Sequence, residues 1–125
     1  MTWTVSGVVR VLLVPADSGR PMQLTDVASA RFEELLGGRP QRIRPLVEAE
    51  PVSWMAFVGA GAQEAGIARN QRAQRLAGTI GGQPGRALYG PVLFTGRGPQ
   101  DQIRGVPGIV NQMAALIGYV INAQE

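Results

Sequence analysis

"VSWMAFV", Val52 to Val58, runs straight into "GAGAQEAGIARNQRAQRLAG", Gly59 to Gly78, and the reading of this join decides the fold. In the first half Val52, Trp54, Ala56 and Val58 alternate with Met55 and Phe57, the two-residue period of a strand with apolar side chains on both faces. The second half is a glycine-rich turn followed by Arg69, Arg72 and Arg75 at three-residue spacing. It reads either as a nucleotide loop feeding a phosphate-binding helix or as an ordinary turn and a solvated helix face.

The nucleotide-loop motifs fail on their own residues. A dinucleotide fingerprint needs a small residue at the sixth position of G-x-G-x-x-G, where helix and strand pack closely and a pyrophosphate approaches the backbone. In Gly59-Ala60-Gly61-Ala62-Gln63-Glu64 that position is a glutamate, and no acid follows about twenty residues on. A P-loop is excluded because the chain has no lysine: all 12 basic residues are arginine. The arginines themselves stay open. On a helix they fan across about 120 degrees, either as a solvated face with Gln71 and Gln74 as filler or as a guanidinium cluster that clamps phosphates bidentately. Asn70 has two readings as well: a ligand-orienting amide, or the N-cap of a helix that begins at Gln71, which we favour. With the cap, the free amides of that helix, beside the Gly59–Gly66 loop, offer an anion site. The candidate anion or ligand set is thus Arg69, Asn70, Arg72 and Arg75.

Composition removes most enzyme chemistry. The chain has neither histidine nor cysteine, so it has no imidazole base, no Ser-His-Asp or Cys-His nucleophile and no zinc site of the usual kind. The carboxylates form no constellation. Glu33 and Glu34 are neighbours on an expected helix and diverge by about 100 degrees, while Glu48 and Glu50 flank Pro51 in an expected solvated turn. We assign no catalytic residue, no metal ligand and no cofactor. With 125 residues, 45% of them hydrophobic and 17% charged, the chain has the composition of one globular domain over residues 1–125. No apolar run approaches the roughly 20 residues of a membrane span, so the expected location is cytoplasmic. The net charge of +3 attracts anions mildly and does not by itself favour nucleic acid.

Outward from the join, "WTVSGVVRVLLV", Trp3 to Val14, reads as the first strand, its second half apolar enough to be central and covered on both faces. The turn "PADSGRP", Pro15 to Pro21, leads to a short strand "MQL", Met22 to Leu24. Thr25 as N-cap, Asp26 in the first turn and a stop at Gly37-Gly38 predict a helix with Ala28, Phe32, Leu35 and Leu36 on its core face. "RIRPLV", Arg42 to Val47, reads as an edge strand because of Pro45. "GTIGGQPG", Gly78 to Gly85, reads as a loop, and "ALYGPVLFTG", Ala87 to Gly96, as a last strand kinked at Gly90-Pro91. A C-terminal helix over about 107–123 carries Ile109, Met113, Leu116, Ile117 and Val120 on one stripe, widened by Val110 and Ile121. That stripe is core in the first reading and a homodimer seam in the second. Trp54 reads as a core anchor in preference to a stacking platform, because the surrounding pattern already accounts for the ring. The expected fold is a single small α+β domain, with an antiparallel or mixed sheet of four or five strands and two or three helices.

The order "RVLLV", "GIARNQRAQRLAG" and "LYGPVLFTG" followed by an acidic, polar segment resembles an uncharacterised family of small proteins common in bacteriophages, plasmids and integrative elements. The likeness runs over about 8–102 and rests on Asn70, Ala73 and Leu76, then Gly90, Pro91, Val92 and Gly96; the glycine-rich insertions and the C-terminal helix depart from it. The resemblance implies an accessory product of a mobile element with no established activity. The expected function is therefore non-enzymatic binding of a host protein in the bacterial cytosol. The alternatives are binding of a phosphate-bearing small molecule such as a nucleotide signal and, behind it, nucleic acid.

Overall fold

The computed structural model describes residues 8–43, 54–81 and 87–122. Strand β1, Val8–Val14, pairs antiparallel with β2, Met22–Ala28, on one side and with β5, Val92–Arg97, on the other. The sheet continues through β4, Trp54–Gly59, to the edge strand β3, Pro40–Ile43. Beyond β2 lies β7, Val120–Asn122, its one parallel neighbour, and β6, Ile103–Arg104, pairs with β5. The result is a seven-stranded mixed sheet in the order β3-β4-β5-β1-β2-β7, with β6 off that path.

Three helices cover the two faces of the sheet. Helices α2, Gln71–Gly81, and α3, Gly108–Ile117, pack on one face, where Ala73, Leu76, Val110 and Ala114 meet Leu12, Val14, Trp54, Ala56, Val92 and Phe94. The short α1, Phe32–Leu36, lies on the other, where Phe32 and Leu36 meet Val11, Met55, Phe57 and Leu93. Alternation along one strand therefore feeds two cores: Val11 goes to one and Leu12 to the other, both with no exposed surface. Trp54 is a core residue, 4% exposed, with its ring 5.8 Å from that of Phe94. This is the α+β domain the sequence predicts, with a C-terminal helix and a richer sheet; β6 and β7 are the added strands.

Several local expectations are corrected. Thr25 and Asp26 do not open a helix. They lie inside β2, opposite Val11 and Arg10, because Val27 continues the apolar alternation and Arg10 offers Asp26 a cross-strand partner at 3.0 Å. Ala28 is the last residue of that strand, and α1 starts only at Phe32 after a 3-10 turn over Ser29–Arg31. Gly37 does end the helix, in the left-handed conformation at φ 74°. Gly78 to Gly81 belong to α2 rather than to a loop. The C-terminal helix stops at Ile117, and Val120 and Ile121 leave it for β7; Gly118 ends the helical pattern, and the β-branched pair suits an extended strand. β3 is an edge strand that begins two residues earlier than read. Residues 3–7 of the first strand, Pro45, Glu48, Glu50, Val52 and the end of the glycine loop at 82–86 lie outside the described residues. Among those described, no helix is long and apolar enough to cross a membrane.

Candidate functional site

Asn70 organises the start of α2. Its side-chain oxygen accepts from the Ala73 amide at 3.0 Å, the N-cap bond to the third helical residue. Its side-chain nitrogen donates to the carbonyls of Val14 and Gly90, both at 2.9 Å. Its backbone amide donates to Leu88 at 2.7 Å. Fully buried, with amide oxygen and nitrogen both engaged, Asn70 fixes the helix start against the ends of β1 and β5 and presents nothing to a ligand. Gly90 completes the junction with φ 78°, a backbone conformation that a side chain resists. Of the residues that carry the family resemblance, Asn70, Ala73 and Gly90 meet at this joint, and Asn70, Ala73, Leu76 and Val92 have no exposed surface.

The arginines lie on the rim of that joint. Arg69 stands ahead of the helix, where it forms a lone bridge with Tyr89, and its Nε donates to Gln74 at 3.1 Å. Arg72, in the first turn, donates from Nη2 to the carbonyls of Pro15 and Asp17 at 2.9 and 3.0 Å. It thereby ties the turn after β1 to the helix. Its Nε is buried with no acceptor. Burial pulls the guanidinium below its usual pKa, and the nearby Asp17 carboxylate pushes it back up in part. Arg75, one turn on, is exposed and makes no ion pair with the described residues.

Arg69, Arg72 and Arg75 line one groove of about 350 Å³. Its other walls are Ala16 and Ser18 of the turn after β1, Gln71 of α2 and Ile117 of α3. Among the described residues no acid lines it; Asp17, in the turn, directs its carboxylate to the Gly19 amide at 2.9 Å. The Gly59–Gly66 loop is elsewhere. It folds into successive turns, with Ala65 donating to Gly61 and Ile67 to Ala62, both at 3.0 Å, and lines two other hollows, of about 260 and 280 Å³, against β3, α1 and the Leu88–Pro91 segment. The expected pairing of that loop with the helix amides is therefore corrected: the turn after β1 supplies the second wall. Ser18 and Ala16 carry no motif, and their proximity to α2 depends on the sheet placing the end of β1 beside Asn70. Among the described residues no group of three or more acidic residues is placed to hold a metal ion.

A second surface adjoins the groove. The core face of α3 is Val110 and Ala114, with Met113 and Ile117 half-buried. Ile109 and Leu116, expected on the same stripe, are 50% and 80% exposed, followed by Tyr119 at 77% and Ile121 at 36%. The apolar pattern is wider than the face α2 and the sheet can cover. The two surfaces meet where a Cβ at Gly118 would lie 3.6 Å from the Arg72 side chain.

No protein-family model matches the chain, and no curated protein matches it. Among solved structures, the crystal structure of small RNA methyltransferase HEN1 is similar over 90% of this chain, with a TM-score of 0.57 and 16% sequence identity. The chain spans 16% of the length of that protein. At this identity the likeness is one of fold.

Proposed function

We propose that this chain is a non-enzymatic accessory protein of a phage or related mobile element that binds a host protein through α3 and β7 in the bacterial cytosol. The carrying observation is the run of large apolar side chains outside the core, led by Leu116 at 80% and Tyr119 at 77% exposure. Ile109 and Leu116 are seven residues apart and so share a helix face. Covering one such side chain is worth about 1.5–3 kcal/mol, and a cluster of them is the usual mark of an interaction surface. The adjoining arginines define the partner: an apolar centre with carboxylates at its flank. The mobile-element origin rests on the short motifs at Asn70–Leu76 and Gly90–Gly96, and the non-enzymatic reading on a sequence without histidine or cysteine.

The test compares the intact chain with a Leu116→Ser, Tyr119→Ser double variant. A host protein retained by the first, lost with the second, and rebinding after separate purification supports the reading. A dimer that dissociates on the same substitutions assigns the surface to self-association and overturns it, as does a host protein retained equally by both.

A further inference from the structure

We infer that the groove between the Pro15–Pro21 turn and α2 binds a small molecule carrying two or more phosphate groups, of nucleotide size. Three guanidiniums line one groove with no acid among its described walls, and Asp17 in the adjoining turn gives its carboxylate to the Gly19 amide. Arg75 offers its whole planar fork to phosphate oxygens, and Arg69, engaged only at Nε, keeps its two outer nitrogens. Arg75 is the uncommitted member. Arg72 is held in place by two carbonyls on Nη2 while its Nε is buried, so it adds positive charge to the wall rather than a fork. Arg69 is steadied by Gln74.

Two further features point the same way. The cap on Ala73 leaves the first amides of α2 for an outside acceptor, and the helix dipole favours negative charge there. Ser18, across the groove, adds a hydroxyl donor. The volume of about 350 Å³ is at the small end of ligand sites, roughly 300–1,000 Å³. Ile117 and the turn supply its remaining described walls, and a hollow of this size suits a compact ligand better than a continuous strand of nucleic acid. This site adjoins the exposed face of α3 but is not lined by Leu116, so Leu116→Ser should leave its affinity unchanged and either reading can fail alone.

The experiment is calorimetric titration of the full chain with ADP, inorganic pyrophosphate and a short single-stranded oligonucleotide. Binding of ADP and pyrophosphate is expected, weakened about tenfold or more by Arg69→Ala and by Arg75→Ala, and abolished by Arg75→Glu. Arg31→Ala, on the far side of the sheet, should change nothing. Equal affinity for the two probes shows a site that reads phosphate alone; tighter ADP shows that base or ribose adds contacts. Because Arg72 also anchors the turn, its replacement is not used as the deciding variant. Failure of both probes to bind at about millimolar concentration overturns the inference. So does binding that survives Arg75→Glu in a folded variant, or binding confined to the oligonucleotide with a steep salt dependence.

Discussion

The side-chain amide of Asn70 donates to the carbonyl of Val14 at 2.9 Å, across 56 positions of sequence, while the oxygen of the same amide caps α2. One residue thereby fixes the helix that carries Arg72 and Arg75 against the strand whose following turn carries Ser18. The groove lies between the two elements that this joint holds together.

Asn70→Ala removes the cap and leaves two buried carbonyls without their donor. The expected loss is about 2–4 kcal/mol, read as a lower urea midpoint. Asn70→Asp separates the two roles. It keeps the capping oxygen but sets a carboxylate against Val14 and Gly90, so it should be at least as destabilising as alanine. A stable aspartate variant would show that the cap alone matters.

Exposure, not hydrophobicity, should rank substitutions on the two helices. Leu76→Ala, at a position with no exposed surface, should cost about 2–5 kcal/mol. Leu116→Ala, at 80% exposure, should stay within about 0.5 kcal/mol. Thermal unfolding of both variants checks the difference, and a large loss at Leu116 would place it in a packed contact.

Gly96 has a packing reason to be glycine. A Cβ there would lie 2.1 Å from the Gly105 carbonyl oxygen, whereas one at Gly108 meets nothing within 4 Å. Gly96→Ala is expected to displace β6 and lower the unfolding midpoint by more than any surface change. Gly108→Ala should leave stability unchanged or raise it by about 0.5 kcal/mol. Equal midpoints for the two variants would contradict this packing.

The Arg10–Asp26 pair at 3.0 Å is open to solvent, with side chains 42% and 53% exposed. Asp26→Asn should therefore cost no more than about 0.5 kcal/mol, and less as salt is added. A loss above 1 kcal/mol, on the scale of surface pairs, would mean that the β1–β2 register depends on the pair.

Local chemistry was legible where one residue type has one physical use. The period-2 alternation of Trp54 to Val58 gave a strand with two buried faces; Gly37 gave a helix stop; Asn70 ahead of a polar-apolar repeat gave a cap. The three-residue spacing of the arginines identified one wall of the groove. What failed was arbitration between equally good local patterns. Thr25-Asp26 suits a helix start, but pairing with Val11 and Arg10 draws it into β2. Val120 and Ile121 extend a helical stripe, but the open side of β2 takes them as β7. Hydrogen bonding to a distant strand decides such cases, and no window of sequence contains that strand.

By itself the sequence determined the chemistry open to this protein: arginine as its sole cation, no imidazole or thiol, and apolar patterning sufficient for an α+β core. Tertiary structure alone decided which surfaces that chemistry occupies. The glycine loop, next to the arginines in sequence, folds away from them, whereas Ser18 and Ile117 converge on them from opposite ends of the chain. Sheet pairing and burial set those distances, through contacts between residues that the sequence keeps far apart.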